Sequence, residues 1–377
     1  MNEFALYIHY PFCIKRCHYC GFASAVYNRS QAVNYHKALL KEIAIQSRQQ
    51  PWQDGTLRSI YFGGGTPSLM SSEAIIELLN VIRKSFTYPP EIEVTIEANP
   101  GASDRKRFNA FRKAGINRLS IGAQSFNDDE LKLLGRIHSA KDIYTAVKKA
   151  SSAGFNNISL DLIYGIPGQT VKSFLISVHR ALDLNIQHLS TYALTIEEKT
   201  RFAQMINYGT LSQPDSDLAA EQYLELCKIM KQAGFYHYEL TNFARPDYQS
   251  QHNWTYWRRI PYLGVGTAAH SFDGKRRFWN PRNTDQYIRR VNTPENGIEE
   301  ELLTEYEELE EKVYLSLRTS DGLEMEIAQR ISSSEAIEEL LTNRFLKSRD
   351  NRLFVPEEKW LLLDEIVLKL LSSNKKF

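Results

Sequence analysis

The sequence predicts an α/β fold, an open, partial (β/α)6 barrel followed by a small, mainly helical C-terminal domain, and three observations predict it. From Glu3 to about Lys199, six short β-rich runs alternate with amphipathic helical runs, the pattern of parallel βα units. Polar residues recur at the C-terminal ends of those strands, which suits a barrel rim better than a doubly wound sheet. Beyond about Glu299 the alternation gives way to charged helical runs. The expected divisions are residues 1–235 for the barrel, 236–298 for an aromatic-rich connecting region and 299–377 for a winged-helix-like domain.

The first strand runs near Phe4 to His9 and leads into a loop with three cysteines. A helix from about Ala32 to Arg48 follows, with Val33, Leu39, Leu40, Ile43 and Ile45 as its apolar face. Leu57 to Phe62 reads as the second strand and runs into Gly63-Gly64-Gly65-Thr66-Pro67. Ser71 or Ser72 caps a helix to about Phe86, with Ile75, Ile76, Leu78, Leu79 and Ile82 buried. Glu91 to Ala98 is the third strand, and a short helix to Lys113 stops at Ala114-Gly115. Arg118 to Gly122 is the fourth strand, followed by two helical runs through Arg136 to Ser152. Asn157 to Tyr164 is the fifth, carrying Asp161, with a helix from Val171 to Leu182 behind it; His188 to Thr195 is the sixth.

After Thr195 the pattern weakens. A helix from about Leu218 to Gln232 and a seventh strand at Tyr236 to Leu240 are expected, but Asn242 to Asn283 shows no clear period. Helices at Glu301 to Ser316, Glu324 to Ile331, Ala336 to Leu341 and Trp360 to Leu371, with an extended run at Leu346 to Phe354, complete the chain.

With 46 Lys and Arg against 45 Asp and Glu, the formal net charge of +1 gives no sign of nucleic-acid binding. No apolar run reaches the roughly 18 residues of a membrane helix, and no secretory signal is visible, so a cytoplasmic location is expected. Four cysteines, three of them crowded, do not read as a disulfide framework; in a reducing compartment they point to metal or redox chemistry.

The crowded three are Cys13, Cys17 and Cys20, at spacing C-x3-C-x2-C. Three thiolates in one short loop suit an iron-sulfur cluster that leaves one iron without a protein ligand. Structural zinc, with His18 or a distant group as fourth ligand, is the plainer alternative, although no second C-x2-C pair exists.

This spacing, with Tyr19 before the last cysteine, resembles the signature of the radical SAM superfamily, and the strand-end motifs extend the resemblance over essentially the whole chain. The similarity is to the branch containing oxygen-independent coproporphyrinogen III oxidase and the heme chaperones. It implies a [4Fe-4S] cluster on Cys13, Cys17 and Cys20, with S-adenosylmethionine (SAM) on the open iron. It also implies reductive cleavage of the sulfonium to a 5′-deoxyadenosyl radical. Gly64, Gly65 and Thr66, Glu97, Gln124, Arg136 and Asp161 match SAM-binding positions, and Tyr7 and Tyr19 resemble residues packed against the cofactor. Without the resemblance, the glycines read as a turn, Glu97 as a solvated carboxylate and the tyrosines as core. Asp161 stands out on its own, because a carboxylate in an apolar strand needs a partner.

Within that branch the oxidase carries a further cysteine two positions after the last cluster ligand, where this sequence has Phe22. The first strand also begins almost at once, so no N-terminal extension like the oxidase's is expected. His252-Asn253-Trp254-Thr255-Tyr256-Trp257 resembles the HNxxYW motif of the heme-chaperone branch, supported by Asn242 to Pro246, Tyr262 to Gly266 and Ala269-His270-Ser271. The resemblance makes His252, Asn253, Tyr256 and Trp257 candidate heme residues, since an imidazole can ligate iron and aromatic rings can cover a porphyrin. Buried aromatics and a hydrogen-bonded histidine are the structural alternative. The resemblance implies heme, acceptor hemoproteins such as respiratory-chain proteins and an electron donor as partners. It leaves open peripheral membrane contact and a monomer or weak dimer. It favours a heme chaperone over coproporphyrinogen oxidation or another radical reaction on a tetrapyrrole, with a zinc-stabilised binding protein as the remaining reading.

Overall fold

The structure is a computed structural model that describes residues 3–102, 104–293 and 298–373. The six expected strands are all present and parallel: β1 (Glu3–Tyr10), β2 (Thr56–Gly64), β3 (Glu93–Ala98), β4 (Arg118–Gln124), β5 (Ile158–Tyr164) and β6 (His188–Ala193), side by side in that order. Helices α1 (Arg29–Gln46), α2 (Ser72–Ser85), α3 (Arg105–Ala114), α4 (Ala140–Ser152) and α5 (Val171–Asp183) return the chain between them, and α6 (Ser216–Gln232) follows. Two short helices, Asp128–Leu133 and Arg201–Asn207, lie in the connections.

Local chemistry sets the helix ends. Asn28, Ser71, Thr170 and Asp215 each accept a backbone N–H at the start of α1, α2, α5 and α6. The buried stripe of α1 is Tyr35, Ala38, Leu39, Glu42, Ile43 and Gln46, the i, i+3, i+4 set of one face. Val33 falls off that stripe and is exposed, as is Ile76 beside the α2 stripe of Ile75, Leu78, Leu79 and Ile82, so both expected core positions are corrected.

The larger departure lies after residue 235. The strand β7 (Tyr236–Glu239) does not pair with β6. The strand β8 (Asn242–Ala244) sits between them, antiparallel to both. After helix α7 (Gln251–Trp257), strand β9 (Tyr262–Val265) joins the opposite edge, parallel to β1. Strands β10 (His270–Phe272), β11 (Arg276–Trp279) and β12 (Glu299–Leu302) continue antiparallel beyond it. The sheet therefore runs β12-β11-β10-β9-β1-β2-β3-β4-β5-β6-β8-β7, twelve strands in all. Strands of three or four residues are too short to show a period, which is why this segment looked irregular.

A buried polar clamp holds the extension to the barrel. Glu42 on α1 accepts from Gly266 N at 2.8 Å, Tyr287 Oη at 2.8 Å, Asn280 Nδ2 at 2.9 Å and Arg290 Nη2 at 2.6 Å. Burial raises the Glu42 pKa, and Arg290 opposes that shift. Close packing adds to the clamp: a Cβ at Gly264 would collide with the His270 carbonyl.

From Glu305 onward, four helices (Glu305–Leu317, Met325–Ile331, Ser334–Thr342 and Leu363–Ser372) pack with a three-stranded sheet. Leu309, Val313, Leu317, Leu340, Leu353 and Trp360 belong to their separate core. Trp360 also meets His237 of β7 edge-on at 4.2 Å, which ties this unit to the sheet edge.

Candidate metal-cluster and cofactor site

The loop after β1 is held open by its anchors. Phe12–Cys13 pairs with Ala25–Val26 at its base. At its far side His18 N donates to Leu134 O at 2.9 Å, and His18 Nδ1 bonds Leu133 O at 2.9 Å. His18 Nδ1 is taken up by this anchor, and the ring does not line the cavity beside the cysteines, which places it apart from them and corrects its candidacy as a zinc ligand.

Cys13, Cys17 and Cys20 all line one cavity of about 430 Å³ at the C-terminal mouth of the barrel. Among the described residues no three His, Cys, Asp or Glu side chains are gathered tightly enough to clasp one metal ion. Burial raises the pKa of the Cys13 and Cys20 thiols. Thr66 Oγ1 donates to Cys13 Sγ at 3.5 Å and Arg136 Nη1 to Cys17 Sγ at 3.4 Å, the kind of contact that tunes a sulfur-bound metal.

The same cavity receives Tyr19, Gly64, Gly65, Thr66, Glu97, Gln124, Arg136, Asp161 and Asn253. Tyr61 Oη donates to Glu97 Oε1 at 2.9 Å, and Gly64 N donates to Oε2 at 3.0 Å. Burial, then the neighbouring Asp161 charge, pushes the Glu97 pKa up to about 7. Asp161 accepts from Ser120 Oγ at 3.1 Å, and its pKa is also raised by burial, against Ser190, Ser120 and Arg118. Gln124 ends β4 at φ 67, where the ladder to β5 shifts register, so the irregularity re-aims the side chain into the mouth. Arg136 Nη2 donates to Gly122 O at 2.8 Å, while its buried Nε has no partner. Two buried carboxylates and an unspent guanidinium N–H fit a zwitterion that also carries a sulfonium.

The glycine run has a local packing reason of its own. Gly64 has φ 113, and a Cβ there would press into the His9 ring; at Gly65 it would meet Pro11. These glycines let β2 end against the cysteine loop rather than simply admitting a ligand.

Several cavity residues escaped the sequence reading, notably Tyr61, Arg118, Ser120, Ser190 and Tyr192. Their signal was alternation: Arg118, Ser120, Gly122 and Gln124 occupy every second position of β4, and Ser190 and Tyr192 do the same on β6. Arg118 is buried with its Nε unpartnered, 3.9 Å from Glu93 Oε2.

The candidate heme residues do not line one cavity together. Asn253 faces the cluster cavity, whereas Tyr256 and Tyr7 line a separate groove. Tyr7 thus lies outside the cluster cavity; its hydroxyl is 3.1 Å from His9 Nδ1. His252 is buried, with Nδ1 bonded to Ser59 Oγ at 2.9 Å and Nε2 to Tyr256 Oη at 3.0 Å. An iron ligand needs a free nitrogen lone pair facing open space, so the heme-ligand expectation for His252 is corrected. Trp257 lies under the Arg318 guanidinium at 3.9 Å, toward the C-terminal helices, and covers neither cavity.

The radical SAM superfamily model matches residues 7–181. Over 98% of this chain and of its own length, the protein named heme chaperone HemW from Lactococcus lactis is 32% identical. The protein of the same name from Bacillus subtilis is 37% identical over 84% of each chain. Among solved structures, the coproporphyrinogen III oxidase of Escherichia coli, described as a radical SAM enzyme, superposes with a TM-score of 0.84 at 25% identity, covering 98% of this chain and 90% of its own. No helix among the described residues is long and apolar enough to cross a membrane. The chain belongs to the radical SAM superfamily, in the HemW branch of its coproporphyrinogen III oxidase-like group.

Proposed function

We propose that this chain is a radical SAM heme chaperone, which binds heme and transfers it to acceptor hemoproteins in the cytoplasm. The observation that carries the reading is the likeness to proteins named heme chaperone HemW along nearly the full chain. Phe22 supports it, because the oxidase position for a further cysteine is filled here by an exposed apolar ring.

Cys13, Cys17 and Cys20 hold the [4Fe-4S] cluster, and Glu97, Gln124, Arg136 and Asp161, with Gly64, Gly65, Thr66 and Tyr19, hold SAM. When bound and reduced by an external one-electron donor, the cluster would supply the electron that cleaves the sulfonium bond of SAM. The chain's own residues do the rest. Glu97 and Asp161 offset the ligand's positive charge, Arg136 Nε is free for its carboxylate, and Thr66 and Arg136 donate to the cysteine sulfurs.

The fold likeness to coproporphyrinogen III oxidase favours a second reading, oxidation of that tetrapyrrole. One experiment separates them. Anaerobically reconstituted protein is titrated with heme and, in parallel, incubated with coproporphyrinogen III, SAM and a reductant. Near-stoichiometric heme uptake without protoporphyrinogen IX is expected; formation of that product would reverse the assignment.

A further inference from the structure

The sheet extension beside β1 creates a second concavity. Strands β9 to β11 and the segment Gly21–Ala23 of the cysteine loop enclose a groove of about 920 Å³, within the span of roughly 300–1,000 Å³ usual for ligand sites. Gly21 and Phe22 line this groove and the cluster cavity alike, so the two share a wall. Tyr256 and Tyr262 give the groove an aromatic lining. On its β10–β11 side the His270 imidazole stacks on the Trp279 indole at 5.3 Å and 25°. Trp279 Nε1 donates to Glu299 Oε2 at 2.8 Å, which fixes the indole and, through the stack, the imidazole.

The state of the histidines singles out one of them. Of nine in the chain, seven spend at least one ring nitrogen on a hydrogen bond within the protein. His179 and His270 do not, among the described residues. Both are exposed, but His179 lies on α5 and lines neither cavity, whereas His270 lines the groove. Burial and the nearby Arg277 and Arg282 charges lower the His270 pKa, which favours the neutral imidazole. At the rim, Arg282 and Arg289 are exposed and have no ion-pair partner among the described residues; Arg282 Nη2 also reaches Gly21 O at 3.4 Å.

A free imidazole lone pair, an aromatic lining in which Tyr256 and Tyr262 meet edge-to-face at 4.8 Å, and two guanidinium groups without an ion-pair partner among the described residues match a planar, apolar, iron-bearing ligand with two carboxylates. We infer that this groove seats heme, with His270 as its axial iron ligand, the edge-to-face pair of Tyr256 and Tyr262 against the macrocycle and Arg282 and Arg289 toward the propionates. The inference rests on the chaperone reading above and adds the seat, which is not the buried His252. It also makes Phe22 the partition between heme and cluster.

The test uses the full chain with its cluster reconstituted, titrated anaerobically with ferric heme and followed by Soret absorbance. The wild type is expected to show an imidazole-ligated spectrum. His270→Ala and His270→Gln are expected to lose that spectrum and bind at least about tenfold more weakly, with iron and sulfide content unchanged. Added free imidazole restores the ligated spectrum to His270→Ala, a rescue that a merely structural role would not give. The Arg282→Ala/Arg289→Ala double variant is expected to keep the spectrum and weaken heme binding several-fold, while matching wild type for heme dimethyl ester, which lacks the charges. His179→Ala is expected to be indistinguishable from wild type. A His270→Ala protein with wild-type spectrum and affinity overturns the groove assignment and leaves the chaperone reading standing. A wild type that takes up no heme overturns both.

Discussion

Glu97 makes SAM binding a function of pH, and the size of the effect follows from its surroundings. Burial and Asp161 bring the carboxyl pKa to about 7, from an ordinary value of 4.5. In the unliganded fold the protonated form is therefore favoured below about pH 7. Ionising the group costs about 3 kcal/mol as pH rises from the ordinary value to the shifted one, at about 1.4 kcal/mol per pH unit. SAM reverses the preference, because its sulfonium and ammonium outweigh its carboxylate. If SAM binds the ionised form, its apparent dissociation constant scales as the inverse of the ionised fraction, about tenfold weaker at pH 6 than at pH 8. The nearby histidines do not confuse this window: burial holds His138 at about 4 and His252 at about 3, and it lowers His9. Titration calorimetry on the reconstituted protein at pH 6, 7 and 8 measures the slope. The Glu97→Gln variant is expected to bind more weakly at pH 8 and to show no slope. A flat wild type, or a Glu97→Gln variant that keeps the tenfold dependence, would refute the reasoning.

Replacing Cys13, Cys17 or Cys20 by Ala is expected to abolish the brown absorbance and bound sulfide, whereas Cys227→Ala, beside His237 at 3.9 Å and far from the loop, keeps both. Thr66→Val removes the donor to Cys13 Sγ and is expected to lower the cluster's reduction potential, by about 40 mV for a hydrogen bond of about 1 kcal/mol in a one-electron couple; redox titration reads it. Gly64→Ala forces a Cβ onto the His9 ring at φ 113 and is expected to destabilise the fold by about 1–3 kcal/mol in urea unfolding, with reduced cluster loading.

The barrel was legible because its strands are long enough to alternate and its helices long enough to show a stripe. The cysteine loop was legible because its ligands are local in sequence. The sheet extension was not: β8 to β11 have three or four residues each, and pairings such as Tyr7 with Gly264 join residues remote in the chain. The cavity interior fell between these cases. The family resemblance found Glu97 and Gln124 at strand ends, and Asp161 stood out as a carboxylate within an apolar strand. Reading every second residue would also have found Arg118 and Ser120, because a barrel turns one whole face of each strand inward.

The residues from His252 to Trp257 show why a motif cannot be assigned to one surface from composition alone. They form a helix, so positions 252 and 256 share a side while 253 and 257 are turned away from it by about 100° each. The first pair closes a hydrogen-bonded chain from Ser59 through His252 to Tyr256, which spends both imidazole nitrogens. Ser159, His188 and Tyr238 form a second such chain, at 2.7 and 2.9 Å. Both histidines are buried, and burial lowers both pKa values, helped by the Arg118 charge. Neutral, doubly bonded imidazoles of this kind fill the barrel interior beneath the cavity polar residues and cannot also coordinate iron. Sequence identifies a histidine as a candidate; the occupancy of its lone pairs decides, and by that criterion the ligand moves from the motif to His270.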